Sequence, residues 1–425
     1  MREMKDSGIP WIGEIPKDWT IELIGNQVKE VNNPNTDGLE DNALQFKMGT
    51  IISKSRGDSK YNPETLEGYN IVDKGVIMLN GLNLSFDLIS QRVGLVRERG
   101  VITSTYLAVK PTKNIDSEYL TYLFKAYDNC KAFHSMGRGL RQTLSFGELR
   151  KYLLVYPSLA EQHQIADFLD RKCAEVDEMI GLQEQIIEEL KAYKQSVITE
   201  AVTKGLNPDA PMRDSGIEWI GQIPEGWVCK ELKFALEGLC DGTHGTFERV
   251  DNGELLLSAK NIGEQGIELC DNESRISYND YCKIVGNGYP QKGDVLLCCV
   301  GSIGKCCIFT EDRPIAFQRS VAFLRCNTTM TSEYLMYLLK SNIMLAQYEM
   351  HARKSAQSGI YMGVIRDFII ISPDIAEQQA IADYLDEKCA DIDSLIQTKL
   401  SKIDSLKEYK KSIIYEYVTG KREVE

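Results

Sequence analysis

The run Leu159-Ala160-Glu161-Gln162-His163-Gln164-Ile165-Ala166-Asp167-Phe168-Leu169-Asp170 returns 216 residues later as Ile375-Ala376-Glu377-Gln378-Gln379-Ala380-Ile381-Ala382-Asp383-Tyr384-Leu385-Asp386. Over the longer blocks 157–203 and 373–419, 24 of 47 positions are identical, too many for chance, so the chain is an internal repeat. Each block opens on a proline and has none afterwards. In the second, Ile392, Ile396, Ile403, Leu406, Ile413 and Tyr417 are spaced 4, 7, 3, 7 and 4; in the first, Val176, Ile180, Ile187, Leu190, Val197 and Ala201 fall at the same places. That spacing predicts one long helix per block, with an apolar stripe along it. At ~1.5 Å per residue, about 42 residues span roughly 63 Å. Two such stripes bury each other most economically by packing together.

A second repeat precedes each variable stretch. Asp6-Ser7-Gly8-Ile9-Pro10-Trp11-Ile12-Gly13-Glu14-Ile15-Pro16-Lys17-Asp18-Trp19 returns as Asp214-Ser215-Gly216-Ile217-Glu218-Trp219-Ile220-Gly221-Gln222-Ile223-Pro224-Glu225-Gly226-Trp227. The order is therefore an anchor segment (1–19), a variable domain (20–156), a spacer helix (157–205), a second anchor (206–227), a second variable domain (228–372) and a second helix (373–425). Each helix must carry the chain from one variable domain towards the other. This points to an antiparallel pair, pseudo-two-fold symmetry and termini that lie close together. The variable domains read as mixed α and β, so the fold class is α+β. Apolar runs at 295–300 and 306–309 suggest strands, and 332–345 suggests a helix.

Composition narrows the class. The 425 residues suit two or three domains at ~150 each. The longest apolar runs, Val295-Leu296-Leu297-Cys298-Cys299-Val300 and Phe368-Ile369-Ile370-Ile371, fall far short of the ~18 residues of a membrane span. The start, Met1-Arg2-Glu3-Met4-Lys5-Asp6, leads into no apolar stretch, so no secretory leader is expected. Twelve cysteines then read as reduced thiols in a cytoplasmic protein. The formal net charge of −13 argues against a nucleic-acid partner if taken whole. By region, the acidic excess sits in the helical blocks and anchors, and the variable domains are close to neutral. DNA binding is compatible with that distribution but is not demanded by it.

Catalytic motifs fail on inspection. Asn33-Pro34-Asn35 lacks the second proline and the aromatic of an adenine methyltransferase motif. Gly301-Ser302-Ile303-Gly304-Lys305-Cys306 has Cys299 where a phosphate loop needs its first glycine and Cys306 where it needs Ser or Thr; it reads as a turn between buried strands. Pro373-Asp374 with Asp386-Glu387-Lys388 superficially resembles a nuclease motif but lies in a helical block with a counterpart at Asp170-Arg171-Lys172. The eight cysteines from Cys240 to Cys326 contain no Cys-x-x-Cys and are expected to be strand-core thiols. No metal and no cofactor are expected.

These segments together resemble the specificity subunit of Type I restriction–modification systems. The resemblance rests on Ser-Gly-Ile-x-Trp-Ile-Gly-x-Ile-Pro-x-x-Trp before each variable domain and on Pro-x-x-Ala-Glu-Gln-x-x-Ile-Ala-x-x-Leu-Asp after it. It covers the whole chain. Asp241-Gly242-Thr243-His244 and Lys292-Gly293-Asp294-Val295-Leu296 are also similar to segments of that family's target recognition domains. The resemblance implies a non-catalytic protein whose two target recognition domains each read one half of a bipartite site in double-stranded DNA. It implies that the helices act as a ruler and bind two modification (methyltransferase) subunits, which restriction (translocase and nuclease) subunits join. No membrane is involved. The other account of the repeat is a two-headed adaptor that binds proteins; a free-standing methyltransferase is the weaker alternative.

Base reading wants Arg or Lys for guanine, Asn or Gln for adenine, and His, Ser or Thr as adaptable groups. Polar clusters offer Lys54, Arg56, Arg138, Arg141 and Gln142 in the first domain. They offer Thr243, His244, Lys260, Asn261, Arg353, Lys354 and Gln357 in the second. Retention of Ala-Glu-Gln in both copies makes Glu161, Gln162, Glu377 and Gln378 candidates for a partner surface. Trp11 and Trp219 join them, with buried wedges as the other reading of these tryptophans.

Overall fold

In the computed structural model of the chain, residues 2–54, 66–85, 87–137, 143–352 and 359–424 are described. The chain divides into two compact units, Met1–Glu184 with Leu400–Glu425, and Gln185–Lys399. The class is α+β.

In unit 1 the anchor is a hairpin, Met4–Asp6 against Glu14–Pro16. Strand Thr20–Leu23 then pairs antiparallel with Leu153–Tyr156, the last strand before the long helix. Between them lies an antiparallel sheet of four strands in the order Val28–Glu30, Leu107–Pro111, Ile77–Leu79, Val93–Leu95. Helix Ser117–Asn129 lies against this sheet. It starts where Asp116 accepts the Tyr119 N–H at 2.9 Å, a side-chain cap on an otherwise unpaired donor. Its Tyr119, Leu120, Leu123, Phe124 and Tyr127 enter the core together with Ile165, Leu169 and Cys173 of the first long helix, and Ile413, Ile414 and Val418 of the second.

Unit 2 repeats the plan. Its anchor is Met212–Asp214 against Gln222–Pro224, and Val228–Glu231 pairs with Ile369–Ser372. Its four strands run Leu236–Asp241, Val321–Cys326, Val295–Cys298, Cys306–Ile308. Helix Ser332–Lys340 is capped by Thr331. The core again draws on both long helices, through Ile198, Ala201 and Val202 and through Ile381, Leu385 and Cys389. Unit 2 adds a three-stranded sheet, Arg275–Ile276, Glu254–Leu257 and Ala316–Phe317, the last two strands parallel.

The long helices are Leu159–Lys204 and Ile375–Val418. In unit 1 their segments run antiparallel: the Phe168 and Tyr417 rings are 4.4 Å apart, and Lys410 Nζ donates to Asp177 Oδ1 at 2.7 Å. In unit 2 the counterpart clasp is Lys194 Nζ to Asp393 Oδ1 at 2.8 Å. The expected stripes are buried or half-buried throughout. No helix among the described residues is long and apolar enough to cross a membrane.

Two expectations change. The helix expected over 332–345 is two helices, Ser332–Lys340 and Asn342–Ala352, because the buried Ser341 turns the chain and its hydroxyl donates back to Leu338 O at 2.6 Å. The cysteines from Cys240 to Cys326 are not all core thiols. Cys298, Cys299, Cys306 and Cys307 are buried, and burial pushes them up to about 12, 12, 12 and 11 respectively. Cys326 is half-buried, and Cys240, on an edge strand, is exposed with Cys270 and Cys282.

Candidate nucleic-acid interface

Each variable domain is fastened to the helices by the same side chains. In unit 1, Gln162 donates to Asn114 O and Pro157 O, both at 3.0 Å, and accepts the Asp116 N–H at 2.8 Å. In unit 2, Gln378 donates to Thr329 O at 3.0 Å and Pro373 O at 2.9 Å, and accepts the Thr331 N–H at 2.8 Å. The buried Tyr119 hydroxyl sits 3.1 Å from Val155 O and 3.0 Å from Val418 O; Tyr334 repeats this with Ile371 O at 3.1 Å and Val202 O at 3.2 Å. Tyr122 and Tyr337 donate to Asp170 Oδ1 and Asp386 Oδ1, each at 2.6 Å. Burial, then these carboxylate bonds, push both phenols far above their ordinary range. A variable domain held this way has a fixed orientation on its own stretch of the helix pair.

In the unit 2 fold three loops meet. Gly242 lets the chain after strand Leu236–Asp241 come close to its neighbour: a Cβ there would lie 2.3 Å from both Phe317 O and Gln318 O. Thr243 N then donates to Phe317 O at 2.8 Å, and Arg319 N to Thr243 O at 3.0 Å. Gln318 N donates to Leu257 O and Ala259 N to the Ser320 hydroxyl, which brings in the loop that carries Lys260. His244 is exposed, with Nε2 2.8 Å from Asp241 Oδ2. Lys260 is exposed and pairs with Glu273 Oε2 at 2.8 Å. The Lys260 bond, with the Cys270 N–H, holds the Glu273 carboxyl down to about 2. Arg319 is exposed and has no ion-pair partner among the described residues. The cluster offers cationic and hydroxyl donors on one surface, the groups that phosphates and base edges accept from.

Sequence reasoning picked out Thr243, His244 and Lys260 here and missed Gln318 and Arg319. A signal existed: Gln318-Arg319-Ser320 is a polar triplet set between apolar Ile315-Ala316-Phe317 and Val321-Ala322-Phe323. Asn261 lies under the cluster and is 1% exposed. Its amide donates to Glu268 O and Glu273 Oε1 and accepts the Ser258 N–H, so its groups are used in building the turn. In the similar segment at 292–296, Asp294 is buried and takes Arg325 through two bonds of 2.9 and 2.8 Å, joining adjacent strands. In unit 1, Lys54 is half-exposed after strand Thr50–Ser53, and its N–H donates to Ala43 O. Arg56, Arg138, Arg141, Gln142, Arg353, Lys354 and Gln357 lie outside the described residues.

The helix-side candidates separate by exposure. Gln162 and Gln378 are buried in the joints described above. Glu377 Oε2 accepts the Trp227 indole N–H at 2.8 Å, and Glu161 Oε1 accepts from Arg2 at 2.5 Å. Trp11 packs edge-on to Tyr127, centroids 5.6 Å apart, whereas Trp219 is exposed. The helices also expose large apolar side chains at equivalent positions: Met179 with Leu395, and Tyr193 with Tyr409, each pair 216 residues apart. These four were not picked out from the sequence because they fall outside the repeated Ala-Glu-Gln segment.

Comparison with known proteins bears on these surfaces. Residues 95–192 and 250–405 match the family described as Type I restriction modification DNA specificity domain. The chain is 26% identical over 425 residues to the Type I restriction enzyme MjaVIII specificity subunit of Methanocaldococcus jannaschii, covering 96% of this chain and 93% of that one. It is 26% identical over 274 residues to the EcoBI specificity subunit of Escherichia coli, covering 62% and 57%. Its fold is similar, with a TM-score of 0.69 at 15% identity, to a chain from a structure concerned with complex assembly and conformational transition of the type I R-M system, covering 96% and 99%.

Proposed function

The chain belongs to the Type I restriction–modification DNA specificity family, and on that premise we propose that its two variable domains each read one half of a bipartite site in double-stranded DNA. It is a DNA specificity subunit, a non-catalytic component of its system. The observation that supports the bipartite reading is the contrast within each unit. The Gln162 and Gln378 joints and the Tyr119 and Tyr334 joints repeat bond for bond, while the loops between the strands differ in sequence and in construction. A repeated mount carrying unlike surfaces suits two modules that read different bases.

In unit 2 the reading groups are Thr243, His244, Lys260 and Arg319, with Asn261 shaping the loop beneath them. In unit 1 Lys54 takes part. Arg56, Arg138, Arg141 and Gln142, and Arg353, Lys354 and Gln357, are assigned to DNA on sequence grounds alone. The helices set the gap between half-sites and bind two modification subunits, which restriction subunits join. The acidic balance of the helices disfavours close contact with phosphates. The equivalent exposed pairs Met179/Leu395 and Tyr193/Tyr409, with Trp219, suit protein partners instead.

The test is footprinting of the complex with its modification subunits, on sites found by mapping adenine methylation in the host with and without this gene. Two protected blocks separated by an unspecific gap are expected. Absence of any sequence preference would sink the reading and leave a protein-binding adaptor in its place. Exchanging residues 228–372 for the matching domain of a relative should change one half-site only. Inserting residues at 204–207 should lengthen the gap and leave the bases unchanged.

A further inference from the structure

Three features of unit 1 converge on a surface corner separate from Lys54. The first is exposure. Ile89 is 92% exposed and Leu88 58%, in the loop between strands Ile77–Leu79 and Val93–Leu95. In the neighbouring hairpin, Leu44–Lys47 against Thr50–Ser53, the turn residue Met48 is 83% exposed. The loop and the hairpin touch, since a Cβ on Gly49 would lie 2.7 Å from Gln91 Cβ.

The second feature is stiffness. Arg92 is 1% exposed, and its guanidinium donates to Asn80 O at 3.0 Å, Leu82 O at 2.9 Å and Asp87 O at 2.7 Å. Asp87 Oδ1 accepts the Ile89 and Ser90 N–H groups at 3.1 and 2.9 Å. Lys131 Nζ donates to Leu88 O. A cation buried against three carbonyls draws the loop closed from inside, and its outer residues are tied at both ends.

The third is local cost. Met48, Asn83 and Lys131 are the non-glycine residues with positive φ among the described residues, at 47°, 50° and 57°, and all three belong to this corner. Arg92 Nε, Asp128 Oδ1 and His134 Nδ1 are buried there without a hydrogen-bond partner among the described residues. Strained backbone and unpaired buried polar groups persist only where the surroundings over-determine them, and they concentrate at functional sites.

Leu88 and Ile89, with Met48 beside them, form a stiff apolar tip far short of a stable protein interface, which needs roughly 800 Å² per partner. It has the form of an apolar wedge between base pairs, where the cost of unstacking demands a support that does not yield. Of its charged neighbours Lys47 and Lys131 are exposed, Asp128 is buried, and Asp87 is half-buried with its Oδ1 turned to the Ile89 and Ser90 N–H groups, so the outward charge is cationic. We propose that Ile89, backed by Leu88, wedges into the base stack at or beside the half-site read by unit 1. This rests on the reading that the chain binds DNA.

The experiment uses the full complex with modification subunits and duplexes carrying its mapped site, with 2-aminopurine placed in turn at each position of the site and its flanks. With the native chain one step should brighten on binding, in addition to the adenines that the modification subunits extrude for methylation. Ile89→Ala should abolish that brightening and weaken binding roughly tenfold, as loss of one buried aliphatic side chain does. Ile89→Leu should retain both, and Leu39→Ala, at another exposed aliphatic site in unit 1, should match the native chain. Brightening of that additional step that survives Ile89→Ala, or its absence while the native complex binds its site, overturns the wedge and leaves the DNA reading intact. Loss of modification subunits from the Ile89→Ala complex would make the tip a protein contact and overturn it too. Failure of the native complex to prefer any sequence would remove the DNA reading and the wedge together.

Discussion

Units 1 and 2 differ least in the side-chain bonds that fasten them to the helices and most in the loops between their strands. Gln162 and Gln378 make the same three bonds, Tyr119 and Tyr334 the same two, and the clasps Asp177–Lys410 and Lys194–Asp393 are counterparts. Yet Val76 of unit 1 follows Gly75 where Asp294 follows Gly293 in unit 2, after equivalent turns, and only Asp294 has an arginine to bind. The exposed loops are stiffened by unlike devices: a buried Arg92 in unit 1, and a three-loop crossing at Gln318-Arg319-Ser320 in unit 2. A surface can diverge in this way only if the mount carries the demands of folding.

The equality of the mounts can be broken most directly at the buried amides. Gln162→Leu and Gln378→Leu each strand one N–H and two carbonyls, at about 3 kcal/mol, since each unpaired buried group costs ~1–3 kcal/mol less whatever water can recover. The two losses, from chemical denaturation with hydrogen exchange to locate them, should agree within about 1 kcal/mol. A large inequality would mean that the mounts are alike in geometry and unlike in energy.

A smaller difference is expected at the tryptophans. The Trp227 indole donates to the Glu377 carboxylate, whereas Trp19 Nε1 is buried without a partner among the described residues and Glu161 is engaged by Arg2. Trp227→Phe should therefore cost about 1.5 kcal/mol more than Trp19→Phe, the contribution of a bond to a charged acceptor. Equal melting shifts would erase that distinction.

Acid should loosen both exposed loops in the same range. The Ser90 and Ile89 N–H groups hold Asp87 down to about 2, and Lys260 with the Cys270 N–H does the same for Glu273. A carboxyl depressed in the folded state adds stability that is fully present above its unfolded pKa, ~3.9 for Asp and ~4.3 for Glu. That stability is lost as pH falls towards 2. Hydrogen exchange across 87–91 and 258–273 should rise over that window, and Lys260→Met should flatten the second response only.

The least effect on folding belongs to Met179→Ala and Leu395→Ala, exposed at equivalent positions: within about 0.5 kcal/mol each. Their effect should appear as weaker retention of modification subunits, equal for the two.

The architecture was legible because repetition and helical period are written in consecutive residues: Ile392 to Tyr417 needs no tertiary knowledge to be read as a stripe. Repetition does not say which way a side chain faces. Gln162 and Gln378 recur because they are interior locks, which a repeated surface would mimic in sequence. Asn261 has the composition of an adenine reader, but Ser258, the first residue of the loop and three before it, gives it a turn to close, and Asn261 is buried in closing it. Arg92 drew no attention, since the carbonyls that bury it come from a loop whose shape no local pattern specifies. Cys240, Cys270 and Cys282 are exposed although the sequence reads all eight thiols of that stretch alike: the absence of a Cys-x-x-Cys excludes a metal site and does not say which side of a strand faces the core.

The hydroxyl of Tyr119, bonded to Val418 O, has a consequence for biosynthesis. Unit 1 is begun by residues that precede unit 2 in the chain and finished by residues after Leu400, once all of unit 2 has been made. At ~5–20 residues per second that delay is roughly tens of seconds. Meanwhile the apolar seat of Ile413, Ile414 and Val418 is open to water, whereas unit 2, contiguous in the chain, closes without waiting. The part translated first is therefore the part completed last, and a nascent chain in that interval depends on chaperone cover over a single apolar seat.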